Sequence, residues 1–468
     1  MNSHSLDDKI HAFLKTRMKC RQVNKILHSF PSPRFWKEMV IPVTKILEER
    51  QDWEKAEPAD LELYVSLPYC VRTQPEHCGY CLFPVEVFKG TKHLDTYLDH
   101  LSQEGRLYKD QFLDKPLKSV YIGGGTPNLL KTHQYPQLMK IIREVFNNIP
   151  SEIGITLEGI PQLFTREKLE IFKEVGINRI SMGAQQLNPE LSGLSGRRQR
   201  PEHVFQTVAC AKELGLDCNV DLIFGWPRQT MDTMLKDLEA LVATGVPHIT
   251  HYELNVGGQS DFALNRRHEL PSVDETRAMY HAACDLLKRN GYQQLTTYDF
   301  EKRIDGEWNN FVYEEGRRNF RRTEIRGWGF AAITDLPGYN SAGGWCYMNH
   351  SHIQRYSDAL LQKKFPVASG FHREIEDLRL SLLFRNLQCL RVDREAYRKR
   401  FKIDLVDEHA PVWSALLEYG LIEIESDEIR LSAEGSYFVP LIQTALANRR
   451  VETLVERYSR KVTDVNSK

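Results

Sequence analysis

The stretch LPYCVRTQPEHCGYCLF, Leu67–Phe83, holds three of the chain's nine cysteines within twelve residues. Seven residues separate Cys70 from Cys78, and two separate Cys78 from Cys81. The others, Cys20, Cys210, Cys218, Cys284, Cys346 and Cys389, are scattered and read as small buried hydrophobes. Three grouped thiols suit two kinds of metal. A structural zinc closes four ligands, and only His77, inside the same window, could complete a Cys3His set. An iron–sulfur cluster normally takes four thiolates. With three, one iron keeps an open position for a small molecule. The cysteines follow directly on the strand-like run LYVSLP, a place that a zinc staple has no reason to prefer and a reactive cluster does.

Outward from that run, strands and helices alternate. LELYVSL, SVYIGG, IGITLEG, NRISMGAQ, CNVDLIFG and HITHYELNV read as strands. Amphipathic helices are expected at Leu94–Gln111, His133–Val145, Thr165–Val175, Pro201–Leu214 and Thr230–Ala243. Repeated βα units build a parallel sheet, either an open barrel or a doubly wound sheet, and in both the loops at the strand C-termini carry the chemistry. The first 60 residues read as helical and irregular, with SFPSPRFW as a Pro-punctuated turn. A softer boundary falls near KKFPVASGF. Beyond it come helices and then LIEIESDEIRLSAEGSYF, a hairpin after a helix that resembles a winged-helix end. Its strands are acidic, which argues against a phosphate backbone as partner.

A chain of 468 residues with 41% apolar and 27% charged residues is ordinary globular usage for two or three domains. No apolar run is long enough to cross a membrane. The N-terminus lacks an apolar signal core, so a cytoplasmic protein is expected. A net charge of −1 gives no bulk attraction for nucleic acid or membranes. One local exception is EEGRRNFRRTEIRG, with Arg317, Arg318, Arg321, Arg322 and Arg326. It reads either as a solvated helix face paired with Glu314, Glu315 and Glu324, or as a clamp for carboxylates or phosphates.

The segment YVSLPYC…CGYC resembles the radical S-adenosylmethionine (SAM) superfamily, and within it the branch of oxygen-independent coproporphyrinogen III oxidase. Tyr64 stands six residues before Cys70, and Tyr80 directly precedes Cys81. YIGGGTPNLL (Tyr121–Leu130), ITLEG (Ile155–Gly159), RISMGAQQLNPELSGLSGR (Arg179–Arg197), NVDLIFGWPRQT (Asn219–Thr230) and RGWGFAAIT (Arg326–Thr334) resemble stretches of that branch, in its order. So does LRLSLLFRNLQ…LLEYGLIEI…IRLSAEG, and the resemblance runs over about residues 62–440. One departure stands out: the branch spaces its cysteines C-x3-C-x2-C, and this chain has C-x7-C-x2-C.

The resemblance implies a partial (β/α)6 TIM-like barrel over 61–300. An N-terminal helical segment (1–60) precedes it. A barrel extension and connector (301–365) and a C-terminal helical, winged-helix-like domain (366–468) follow. It implies a [4Fe–4S] cluster on Cys70, Cys78 and Cys81, with SAM on the open iron cleaved reductively to a 5′-deoxyadenosyl radical. Gly124, Gly125 and Thr126 let backbone approach the SAM amino group; GGGTP is not G-x-G-x-x-G, so no nicotinamide site is indicated. Glu158 is an acceptor for a ribose or ammonium and, with Tyr64, a candidate catalytic residue. Tyr80, Gln185, Arg197 and Asp221 fall at cofactor-binding positions, the last three for one of two SAM molecules, with Arg197 expected beside Asp221. Blandly read, Gln185 and Asp221 would only cap neighbouring helices. The partners implied are a small-molecule substrate and an electron donor such as flavodoxin or ferredoxin. The altered cysteine loop and the stretch Thr250–Glu275 favour class C methyl or methylene transfer. HSFPSPRFW and the Arg cluster favour the runner-up, decarboxylation of porphyrinogen propionates. A heme-handling relative is the third reading.

Overall fold

The six expected strands alternate polar and apolar residues, and the computed structural model shows what the alternation does. It describes residues 3–22, 28–112, 115–302 and 320–465. Strands β1 (Asp60–Leu67), β2 (Leu117–Gly124), β3 (Gly154–Gly159), β4 (Arg179–Gln185), β5 (Asp217–Phe224) and β6 (His248–Glu253) pair in chain order, all parallel. On β1 the set Leu61, Leu63, Val65 and Leu67 joins the main hydrophobic core. The polar set of the strands bonds to itself. Arg179 Nη1 on β4 donates to Thr156 Oγ1 on β3 at 3.3 Å. Its Nη2 lies 3.4 Å from His248 Nδ1 on β6, reaching past β5. Thr250 Oγ1 donates to Asn219 Oδ1 at 3.1 Å. The sheet is curled, with a polar lumen inside and an apolar face outside.

Helices Thr91–Phe112, Gln134–Val145, Arg166–Val175, Pro201–Leu214 and Met231–Ala243 connect successive strands. Each overlaps its expected span, and their ends follow local chemistry. Thr165 caps one through a bond from Lys168 N, and Gly176, at φ 91°, ends it in the left-handed region. Thr230 and Thr233 form a capping box on another.

Among the described residues the sheet extends past the barrel on both sides to 13 strands. β7 (Asp299–Lys302) runs antiparallel to β6. On the other side β8 (Thr323–Gly329) lies parallel to β1, and β9 (Ile333–Pro337), β10 (Gly344–Asn349) and β11 (Val367–Arg373) continue antiparallel. The boundary expected at 366 therefore falls at the edge of a sheet strand, and the C-terminal helical part begins with the helix Ile375–Gln388. The expected hairpin is present: β13 (Ile422–Ile424) and β14 (Glu428–Leu431) pair antiparallel, with β12 (Arg391–Asp393) on the far side of β14. The N-terminal helix Ser3–Arg17 packs on the C-terminal helices Ala410–Glu418 and Val439–Val465. No helix among the described residues is long and apolar enough to cross a membrane.

Two arginines of the cluster, Arg322 and Arg326, take neither expected form, while Arg321 is exposed. Arg317 and Arg318 lie outside the described residues. Arg322 is buried and donates to Glu324 at 2.6 Å, Glu54 at 2.9 Å and the carbonyl of Glu57 at 2.6 Å. Arg326 on β8 is buried too, donates to Thr334 and Tyr347, and lies 3.3 Å from the Tyr108 ring centroid. Placed in and beside a strand rather than on an exposed helix, these two guanidinium groups are committed to the protein's own acceptors.

A second buried ionic group ties the sheet to the C-terminal part. Asp335 on β9 accepts from Arg373 on β11 and from Arg385 on the helix Ile375–Gln388, and all three are buried. Removing the shared acceptor strands two charges in the interior. Asp335→Ala is expected to cost about 3–5 kcal/mol, read as a lowered urea midpoint at an unchanged m-value.

Candidate functional site

The first cysteine is positioned by a close crossing of two strand ends. β1 ends at Leu67, and after Pro68 the chain forms a two-residue strand, Tyr69–Cys70, parallel to Glu86–Val87. Gly125 N donates to Leu67 O at 2.7 Å and Thr126 N to Tyr69 O at 2.8 Å. A Cβ on Gly125 would lie 2.5 Å from Tyr69 O, and one on Gly124 2.6 Å from Leu67 O. The glycines at the end of β2 thus admit the backbone that carries Cys70. Thr126 Oγ1 then donates to Cys70 Sγ at 3.3 Å.

The enlarged loop between Cys70 and Cys78 is compact. Thr73 Oγ1 donates to Pro75 O at 2.8 Å and accepts from Cys78 N at 3.0 Å. His77, Cys78 and Gly79 all have positive φ, at 54°, 56° and 69°, so the chain coils tightly before Cys81. Gln74 fills the space a Cβ on Gly196 would need, 2.5 Å from its carbonyl oxygen. The following residue, Arg197, lies near enough to Cys78 to act on it electrostatically. Tyr80 sits on a small apolar cluster of Leu191, Ile223, Trp226, Leu254 and Phe262, with its ring 4.9 Å from that of Trp226.

The lumen changes character along its length. Thr156, Arg179, Ser181, Asn219, His248 and Thr250 are buried. Nearer the strand C-termini, Tyr64, Tyr121, Glu158, Gly183, Gln185 and Asp221 keep partial exposure. The lumen is filled at one end and accessible at the end that bears the cysteines. There Tyr121 Oη donates to Glu158 Oε1 at 2.7 Å and its ring stacks with that of Tyr64, centroids 6.0 Å apart. Burial pushes the Glu158 carboxyl up to about 7, against the Tyr121 hydrogen bond, which lowers it. Burial likewise raises Asp221 to about 6, although Asn219 Nδ2 donates to it at 2.7 Å. The cation that acts on Asp221 is Arg179, from the filled part of the lumen. Arg197 is therefore not the partner expected for Asp221: its Nη1 donates to Gly183 O at 2.7 Å and to Gln199 Oε1 at 3.2 Å. Gln185, at φ 66°, follows a register shift between β4 and β5, and its buried Oε1 has no hydrogen-bond partner.

The three thiols lie near enough to act on one another electrostatically. Burial pushes Cys70 up to about 11, Thr126 counters it, and Cys78 and Cys81 add to it. Burial also raises Cys81. Among the described residues no three His, Cys, Asp or Glu side chains converge on one ion, as a Cys3His zinc would require; His77 is exposed. A cubane holds its thiolates on separate irons and spreads them further apart. Half-buried thiols, two of which desolvation keeps protonated in isolation, a hydroxyl directed at Cys70, and the unpartnered Gln185 amide oxygen fit a cluster with a small polar ligand. Tyr121, Arg179, Trp226 and Phe262 were not singled out from the sequence. For the first two the signal is the period-two alternation, which puts Tyr121 on the face of Gly123 and Arg179 on that of Gln185.

Residues 66–241 match the family model of the radical SAM superfamily. The heme chaperone HemW of Bacillus subtilis (strain 168) is 27% identical over 378 residues, covering 80% of this chain and 95% of that protein. The oxygen-independent coproporphyrinogen III oxidase of Escherichia coli (strain K12) is 27% identical over 397 residues, 81% of this chain and 83% of that one. The solved structure of coproporphyrinogen III oxidase (HemN) from Escherichia coli superposes with a TM-score of 0.77 at 24% identity, covering 90% of this chain and 96% of that chain. This likeness establishes the fold.

Glu158 gives the site a pH signature of its own. Its proton is held more tightly folded than unfolded, so its favourable contribution is complete below about 4.5 and is lost as pH rises through about 7. At 1.36 kcal/mol per pH unit, that interval corresponds to about 3 kcal/mol. Glu158→Gln is expected to be more stable than the parent above pH 7 by up to about that amount, with the gain vanishing near pH 4.5. Denaturant titrations of both proteins across that pH range measure it.

Proposed function

We propose that this radical SAM protein oxidatively decarboxylates propionate side chains of a reduced tetrapyrrole, the reaction that its resemblance to the oxygen-independent coproporphyrinogen III oxidase branch implies. The observation that carries the reading is the accessible end of the lumen. It brings the Cys70, Cys78 and Cys81 loop together with Tyr64, Tyr121, Glu158, Gln185 and Asp221, while the rest of the lumen is filled. The relatives described above are named for tetrapyrroles, so the preference for methyl or methylene transfer gives way to its runner-up.

Bound to the three thiolates, a [4Fe–4S] cluster with SAM supplies a 5′-deoxyadenosyl radical able to take hydrogen from an unactivated carbon. The chain's own residues hold and orient. Tyr121 fixes the Glu158 carboxyl, which at its raised pKa can accept from a ribose hydroxyl or an ammonium, or keep a proton near neutrality. Gln185 and Asp221 offer acceptors on neighbouring strands, where a second SAM molecule would lie. Tyr80, braced by Trp226 and Phe262, anchors the cysteine loop on a small apolar cluster. Outside, Leu82, Phe83 and Val87 are 41%, 69% and 39% exposed, an apolar rim suited to a flat macrocycle. An electron enters from a flavodoxin or ferredoxin.

A second reading, heme carriage, is favoured by the similarity to HemW over 95% of that protein's length. One experiment separates the readings. Reconstituted, dithionite-reduced protein given coproporphyrinogen III and methyl-labelled SAM is expected to release 5′-deoxyadenosine and CO2 in equal amounts, with no label in the product. Label in the product would restore carbon transfer. Tight heme binding with no CO2 release would establish the carrier.

A further inference from the structure

The loop that departs from the branch's cysteine spacing also presents side chains to solvent. Seven residues separate Cys70 from Cys78, and among them Arg72, Gln74, Glu76 and His77 are exposed. The segment is anchored at both of its neighbours. Thr73 Oγ1, between Arg72 and Gln74, accepts from Cys78 N at 3.0 Å. Gln74 packs on the turn at Gly196, its carbonyl oxygen 2.5 Å from where a Cβ would stand. From that turn the chain runs on through Arg198 and Arg200, both exposed. Beside the loop the carbonyl of Cys70 accepts from Phe88 N at 2.8 Å, and exposed Lys89 follows. Four exposed cations thus belong to the cysteine loop and the segments packed on it, with Glu76 and Glu202 as exposed carboxylates among them. Among the described residues Arg72, Lys89, Arg198 and Arg200 form no ion pair.

We propose that this basic face, built on the enlarged cysteine loop, docks a small acidic electron-carrier protein that reduces the cluster. The inference deepens the reading that Cys70, Cys78 and Cys81 hold that cluster, and it rests on it. One electron leaves the reduced carrier and enters the oxidised cluster; no bond is made or broken. The carrier has only to come close to the sulfurs. Arg72 stands two residues from Cys70, and Lys89 follows the residue bonded to its carbonyl, so a protein held by these cations is held beside the thiolates. The whole chain carries a net charge of −1, so attraction for an acidic partner must come from a local patch. Exposed cations without partners of their own supply it: they steer encounter and fix orientation, and the guanidinium forks match carboxylates. A small substrate has a different path, to Tyr121, Glu158 and Asp221 in the lumen, where exposure is only partial.

The test compares two reductants. Reconstituted parent and variant proteins are given SAM with either reduced bacterial flavodoxin, an acidic carrier protein, or dithionite, and the release of 5′-deoxyadenosine is followed. Arg72→Glu combined with Arg198→Glu is expected to lower the rate at subsaturating flavodoxin and low ionic strength by about tenfold. The dithionite-driven rate is expected to stay within about twofold of the parent. Added salt is expected to slow the parent with flavodoxin and to narrow its lead over the variant. Should the double variant fail to assemble a cluster, Lys89→Glu and Arg200→Glu, outside the cysteine loop, carry the test, each with a smaller loss in the same direction. An unchanged flavodoxin-driven rate in these variants would overturn the proposal. So would an equal loss with both reductants, which would make the cations part of the reacting site. A raised KM for coproporphyrinogen III at an unchanged flavodoxin-driven rate would likewise overturn it, in favour of a surface that steers the substrate. A parent protein that cleaves no SAM with dithionite would instead refute the three-thiolate reading itself.

Discussion

Everything at the candidate site depends on how closely two strand ends can cross. The carbonyls of Leu67 and Tyr69 occupy the space that side chains at positions 124 and 125 would need. The same crossing supplies two backbone hydrogen bonds, to Gly125 and Thr126. It lays Cys70 against Thr126 and turns the cysteine loop over the mouth of the lumen. Any Cβ there would push the first thiol away from the other two. The glycine run therefore serves the cluster through packing: it determines where the cysteine-bearing backbone lies.

A second constraint is the polar lumen. Buried hydrogen-bonding groups must be satisfied, and Arg179, Thr156, His248, Asn219 and Thr250 satisfy one another across four strands. That network closes one end of the barrel and leaves accessible side chains only at the other. Burial without full pairing keeps Glu158 and Asp221 near neutrality in their proton affinity. These are groups poised for a ligand with donors of its own, at the end of the lumen where side chains keep partial exposure.

Much of this was legible in the sequence, for identifiable reasons. Six strands and five helices could be placed because their apolar periodicities are clean and their ends carry Thr, Pro and Gly at capping positions. The cysteine loop announced itself by density. What stayed hidden depends on contacts between distant segments. Reading the strands as apolar runs concealed their strict alternation, and with it the polar lumen and the place of Tyr121. The arginine cluster looked like a helix face because local charge pattern says nothing of β8 pairing beside β1. Arg197 seemed a partner for Asp221 because both lie at strand ends; only the fold shows that it bonds Gly183 O and Gln199 instead.

The central claim is that three protein thiolates hold a four-iron cluster whose remaining iron is open to SAM. Mössbauer spectroscopy of anaerobically reconstituted, iron-57-enriched protein, recorded before and after adding SAM, tests it most directly. The account predicts about four irons per chain, as for a cuboidal cluster, with one of the four changing its spectrum when SAM binds. A zinc-loaded, iron-free protein, or a four-iron spectrum indifferent to SAM, would contradict it.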